Sequence, residues 1–130
     1  MKKIIQPKKM QDPRPRYSHA IMTEGGKLLF IAGQTATDGQ GNIVGVGDIE
    51  AQATQVFENI KTIVEEAGGT LDDIVKTTVY ITDAKYREGQ RKVRSRYMQK
   101  DPPTSTLLVV KGLAREEFLI EVESIAVLSS

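Results

Sequence analysis

One carboxylate stands out by its surroundings. Glu121 lies within Phe118-Leu119-Ile120-Glu121-Val122-Glu123-Ser124-Ile125-Ala126-Val127, a run that is otherwise largely apolar. A carboxylate in such a setting must be solvated, paired or kept for use. A half-buried glutamate is well suited to general acid or base work. The plainer alternative is that Glu121 and Glu123 face water or pair with lysines on an adjacent strand, as most strand carboxylates do. Gly33, in Ala32-Gly33-Gln34 at the end of an apolar run, is a second candidate. Lacking a Cβ, it lets a ligand approach backbone N–H and C=O groups closely, although a bulge or turn accounts for it equally well.

Two basic segments add further candidates. Arg14-Pro15-Arg16-Tyr17-Ser18-His19 reads as a stiff arm that can present the Tyr17 hydroxyl to a pocket. His19 is the only histidine, so a His-rich zinc site is excluded and a Ser-His-Asp triad would depend wholly on it. Lys85, Arg87, Arg91, Lys92, Arg94, Arg96 and Lys100 face the single Glu88 in a helical stretch, with Arg91 or Arg94 as candidate anion contacts. Such a stretch either holds anions or is a solvated face whose cations complement the helix dipole. No G-x-S-x-G, P-loop or clean G-x-G-x-x-G pattern occurs.

Composition narrows the classes. The chain has 130 residues, a length expected to form a single domain (1–130) with a core that needs no staples. With no cysteine there are no disulfides, thiolate nucleophile or cysteine metal site. A formal net charge of +1 and 5% aromatic residues, with no tryptophan, argue against nucleic-acid binding. The basic start Met1-Lys2-Lys3-Ile4-Ile5-Gln6-Pro7 lacks an apolar h-region, and apolar runs are short of a membrane span. The expectation is a soluble, cytoplasmic protein without membrane contact.

The elements that must position these residues follow from patterning. Strands are expected at Lys3–Ile5, Tyr17–Met22 and Leu28–Ala32, the last two joined as a hairpin through Glu24-Gly25-Gly26-Lys27. Asp48 caps a helix whose stripe is Ala53, Val56, Phe57, Ile60, Ile63, Val64 and Ala67, closed by Gly68-Gly69. Val75–Thr82 is a strand, and a second helix over 85–100 turns Tyr86, Gln90, Val93 and Tyr97 inward until Asp101-Pro102-Pro103 stops it. Thr106–Val110 and Phe118–Val127 are the last strands, the latter with Leu119, Glu121, Glu123 and Ile125 on one face. The order β-β-β-α-β-α-β-β predicts one sheet with two helices on one face and an apolar second face that needs cover, most simply by self-association.

The ordered set of stretches resembles the RidA/YjgF family, also known as the liver perchloric-acid-soluble protein family. The stretches are Tyr17-Ser18-His19-Ala20, Leu29-Phe30-Ile31-Ala32-Gly33-Gln34, the run from Glu50 to Ile60, Val75-Lys76-Thr77-Thr78-Val79-Tyr80-Ile81-Thr82-Asp83, Pro102-Pro103-Thr104-Ser105-Thr106 and the run from Leu119 to Ala126. The resemblance implies a chorismate-mutase-like α/β (α+β) fold and a homotrimer with three clefts between neighbours. It also implies hydrolysis of enamines and imines to ammonia and a 2-keto acid, with no cofactor and no metal. In that light Glu121 positions and activates water, while Tyr17 and Gly33 line the cleft.

This chain departs from the pattern at several places. Ser105 stands where the deaminase branch carries an arginine that grips the substrate carboxylate, and Leu107 stands where it carries a cysteine. Ala32 replaces a strand-end serine, and Arg91 falls near an asparagine of the second helix. Ser105, Thr106, Gly33, Arg91 and the Leu107 backbone carbonyl are then the expected contacts of a small anionic metabolite. Three readings follow: a cofactor-free deaminase, a protein that binds the same metabolite without turnover, and a ribonuclease or translation inhibitor supported only by the basic helix.

Overall fold

A computed structural model describes residues 2–129. Its elements run in the expected order: β1 (Lys2–Ile5), β2 (Ala20–Thr23), β3 (Lys27–Gln34), α1 (Ile49–Glu66), β4 (Ile74–Ile81), α2 (Arg87–Tyr97), β5 (Thr104–Val109) and β6 (Ile120–Leu128). Short 3-10 turns at Leu71–Asp73 and Ala84–Tyr86 lead into β4 and α2.

The strands form two sheets where one was expected. β3, β6, β4 and β5 lie side by side in that order, and β1 pairs with β2 in a separate ribbon. The glycine turn between β2 and β3 does use left-handed backbone, with φ of 71° at Gly25 and 83° at Gly26. However, the Gly26 backbone packs onto the end of β6, where a Cβ would stand 2.6 Å from the Leu128 carbonyl oxygen. The turn is thus docked on β6, while β2 spends its ladder on β1 and β3 spends its own on β6. β2 also starts later than expected. The Ser18 N–H donates to the Pro103 carbonyl (3.1 Å) and the Ser18 hydroxyl to the Pro102 carbonyl (2.5 Å). This anchoring takes Tyr17, Ser18 and His19 out of any strand.

α1 is built as its sequence dictates. Asp48 accepts the Ala51 N–H at 3.1 Å, and Gly68, at φ 92°, turns the chain at the other end. Ala53, Val56, Phe57, Ile60 and Val64 are fully buried against Ile31, Ile74, Val79, Ile81, Ile120, Val122 and Ala126 of the sheet. Ala67 is the exposed C-cap rather than part of that stripe. Gln52, also fully buried, donates to the carbonyls of Gly45 (3.2 Å) and Glu117 (2.8 Å) and accepts the Leu119 N–H (2.8 Å). This one side chain fixes the entry into β6. α2 is shorter than expected because its last turn ends at Met98, but Gly89 in its middle has a purpose. A Cβ there would stand 2.7 Å from Ile49 Cγ2, so glycine lets α2 close on the start of α1.

Alternation along β6 separates two faces. Ile120, Val122, Ser124, Ala126 and Leu128 are buried beneath the helices, while Glu121, Glu123, Ile125 and Val127 point to the other side. Large apolar side chains on that second side are exposed. Phe30 is 71% exposed there, Leu28 64% and Leu108 44%.

Candidate functional site

Within one chain the expected site residues fall into two groups. The first lies on the open face of the sheet. Glu121, half-buried on β6, sits in register with Tyr80 of β4. Beside it, β3 carries a bulge: Ala32 and Gly33 together oppose Glu123, between the pairs Ile31–Ser124 and Gln34–Val122. The bulge and the close approach are the same feature here. A Cβ on Gly33 would overlap the Glu121 Oε2 and stand 2.7 Å from its Cδ, so the carboxylate lies directly over the glycine backbone. Gly112, Leu113 and Ala114 border the resulting recess of about 370 Å³, with Tyr80 and Glu123 on its floor.

Among the described residues, none hydrogen-bonds or ion-pairs with the Glu121 carboxylate. The strand lysine that could have paired with the β6 glutamates, Lys76, bonds the Thr78 hydroxyl instead at 3.1 Å. A carboxylate held beside exposed backbone and lacking a partner is free to accept a proton from water. Thr106 shares this face, exposed and in register with Thr78.

The second group lies on the helix-covered side. Ser105 pairs in register with the buried Thr77, and Leu107 with the buried Val79, so both half-buried side chains turn toward the helices. Leu107 packs on the core. Ser105 and Thr106, expected to meet one ligand group, therefore point to opposite sides of β5. Tyr17 is half-buried and meets the His19 ring edge-on at 5.8 Å. The bonds of Ser18 to Pro102 and Pro103 hold Tyr17 next to the start of β5.

On the other flank of Tyr17, Arg94 Nη1 donates to the Arg16 carbonyl. Arg94 is only 7% exposed, and burial pulls its guanidinium down to about 10, so it remains charged at neutral pH. Arg91, one turn earlier, is half-buried and pairs with Glu88 at 3.3 Å. The arm itself is braced by Arg14, whose Nε and Nη2 donate to the Asp12 carboxylate at 2.9 and 2.6 Å. These bonds hold the Asp12 carboxyl down at about 2.

Sequence reasoning missed the anchoring role of Ser18 and the loop Gly112–Ala114. Ser18 gives no signal in sequence, since its partners lie more than 80 positions away. The loop is marked only by Gly112 shortly before β6. Among the described residues, no group of three or more His, Cys, Asp or Glu is placed to hold a metal ion. Nor is any helix among them long and apolar enough to cross a membrane.

The sequence pattern of the family described as endoribonuclease L-PSP matches residues 8–128. The chain belongs to this RidA/YjgF family. Relatives and solved structures agree. A RutC family protein of Pyrococcus abyssi is 38% identical over 125 residues, 96% of each chain. A Rid family protein of unknown function, YyfB of Yersinia pestis, superposes with a TM-score of 0.90 at 33% identity, covering 98% of both chains. RidA of an Antarctic Psychrobacter superposes with a TM-score of 0.73 at 32% identity, covering 97% of this chain and 99% of its own. The RidA/YjgF likeness thus extends over the whole mixed α/β arrangement, sheet and both helices included.

Proposed function

We propose that three copies of this chain join through the open sheet face, and that each junction forms a cleft which hydrolyses an enamine or imine of a small carboxylic acid. The observation that carries this reading is Glu121, held over Gly33 without a partner among the described residues. The exposed Phe30, Leu28 and Leu108 supply the apolar area that association would remove from water. Membership in the RidA/YjgF family supports both parts.

The chemistry needs only water and a proton carrier. The Glu121 carboxylate takes a proton from water as the oxygen bonds to the C=N carbon of the imine tautomer, and passes that proton to the nitrogen. The hydroxyl proton of the carbinolamine then moves through Glu121 to the amine nitrogen as the C–N bond breaks. Ammonia leaves, and the carbonyl of a 2-keto acid remains. The Leu107 carbonyl of a neighbouring copy accepts the second hydrogen of the water, Tyr17 closes the cleft, and the Ser105 hydroxyl, on the Tyr17 side of β5, bonds a polar group of the metabolite.

Turnover of 2-aminoacrylate, followed as pyruvate and ammonia, tests this reading. Glu121→Ala abolishes turnover while the trimer persists; an unchanged rate removes Glu121 from the mechanism. One observation favours a second reading, binding without turnover: Ser105 carries no charge to orient a substrate. Ligand binding with no 2-aminoacrylate hydrolysis in the wild type would select it. The ribonuclease reading has only the cations of α2 behind it, and absence of RNA binding at low salt ends it.

A further inference from the structure

The recess at Glu121 holds two carboxylates, Glu121 and Glu123, and no cation. An anionic metabolite must therefore find its charge partner elsewhere in the assembly. A separate cleft of about 290 Å³ offers one, formed where α2 meets the arm and lined by Pro15, Arg16, Arg91, Arg94, Ser95, Met98 and Gln99. Three of these side chains are guanidinium groups and none is a carboxylate. The Glu88 ion pair occupies a single N–H of Arg91.

Arg94 makes the cleft more than a basic patch. It is a nearly fully buried cation whose Nη1 alone is bonded, to the Arg16 carbonyl, whereas Nε and Nη2 have no partner among the described residues. Burying a guanidinium with N–H groups unsatisfied is costly, and a ligand that pairs them recovers that cost. The orphaned atoms form one edge of the fork, the edge that takes both oxygens of a carboxylate at once. The same chain shows this edge in use: Arg14 binds the two Asp12 oxygens through its own Nε and Nη2.

We infer that this cleft is an oxyanion site, with the Arg94 edge as its fork and Arg91 and Arg16 as flanking charges. It rests on the deaminase reading for its natural ligand, the carboxylate of the metabolite whose C=N carbon meets Glu121 of another copy. Inorganic phosphate shares the recognised chemistry. The edge is shielded from bulk water, so entry requires one of the side chains lining the cleft to swing aside. The cleft adjoins Tyr17, since the bonded Arg16 carbonyl is the group immediately before it.

Calorimetric titration of the intact protein with pyruvate and with inorganic phosphate tests the site, with 2-aminoacrylate kinetics alongside. The expected result is pyruvate binding that weakens at least tenfold in Arg94→Lys, which keeps a charge but loses the fork. In the surface variant Arg16→Gln/Arg91→Gln, KM for 2-aminoacrylate rises several-fold with kcat less affected. That variant retains Arg94, so it reads out the site even if Arg94→Lys does not fold. Phosphate that displaces pyruvate places both at this fork; phosphate binding alone identifies a phosphate site and overturns the carboxylate assignment. Turnover that depends on Glu121, with pyruvate affinity and KM unchanged in all these variants, overturns the inference and leaves the deaminase reading standing. Arg94-dependent anion binding without turnover does the reverse.

Discussion

Gly33→Ala separates the position of the Glu121 carboxylate from its presence. The new methyl would overlap Oε2 and lie 2.7 Å from Cδ and 2.9 Å from Cγ of Glu121. The carboxylate must retreat by about 1 Å or more to reach ordinary contact. The backbone is not the obstacle, because Gly33 lies outside the left-handed region that only glycine adopts readily. Alanine also saves about 0.5–1 kcal/mol of strand entropy relative to glycine. Driving the glutamate off its rotamer costs about 0.5–1.5 kcal/mol. Net stability therefore changes by less than about 1 kcal/mol, which shifts the melting temperature by only a few degrees, about 5 °C at most. Catalysis has no such compensation, since a misplacement of about 1 Å can cost on the order of 10²-fold in rate. The assay is 2-aminoacrylate hydrolysis beside a thermal melt, repeated with Glu121→Gln and with the double variant. If the methyl acts through the carboxylate alone, the double variant is no slower than Glu121→Gln. A Gly33→Ala protein with full turnover and an unaltered melt would refute the premise that the observed carboxylate position is the working one.

The other expectations are simpler. Phe30→Asp puts a charge among the exposed apolar side chains of the open face and is expected to convert the proposed trimer to monomer in light scattering; a persistent trimer would move the interface elsewhere. Gln52→Met strands the carbonyl of Glu117 and the N–H of Leu119, and is expected to cost about 2–4 kcal/mol in denaturant unfolding; a loss below about 1 kcal/mol would deny Gln52 its role at the entry to β6. Burial and the Glu58 carboxylate, 2.7 Å away, push the Tyr97 hydroxyl up to about 12 from 10.0. The folded chain thus keeps this proton where the unfolded chain loses it, so its contribution is complete below pH 10 and fades as pH climbs toward about 12. Tyr97→Phe is expected to flatten that stretch of the stability profile, and an unchanged slope would count against the assignment.

Much of the fold was legible because local rules and packing agree. The Asp48 cap, the glycine exit of α1 and the two-residue alternation of β6 each point to a single answer, and the structure adopts it. The misjudged parts depend on distant partners. Nothing near Tyr17 announces that Ser18 is tied to Pro102 and Pro103, and so the expected strand start was too early. The Glu24–Lys27 turn reads as a hairpin until the Leu128 carbonyl is seen to clamp Gly26. At the site, Glu121 and Gly33 were each visible as oddities, and a bulge was one of the readings open at Gly33, but that the β3 bulge brings the two together depends on pairing with β6 that sequence does not show. Ser105 and Thr106 were read as neighbours at one ligand because adjacency in sequence was taken for adjacency in space. In a strand, adjacent side chains leave by opposite faces.

That separation explains why self-association and chemistry would stand or fall together. One side of the chain offers a carboxylate base beside bare glycine backbone and an apolar surface, with no cation in its recess. The other side offers Tyr17, Ser105 and three guanidinium groups, with no carboxylate among the residues lining their cleft. Neither can both hold an anionic metabolite and activate water against it. Bringing the acidic face of one copy toward the basic flank of the next supplies what each lacks, and the opposite charges favour that pairing over like-to-like contact. A lone chain would retain its core, since the helices already cover the buried face of β6. It would lose the hydrolytic site, because the base and the anion fork would no longer address the same molecule. Under the proposed reading the chemistry would depend on the open sheet face as much as on Glu121, which would account for Phe30, Leu28 and Leu108 lying exposed on a chain whose core is complete without them.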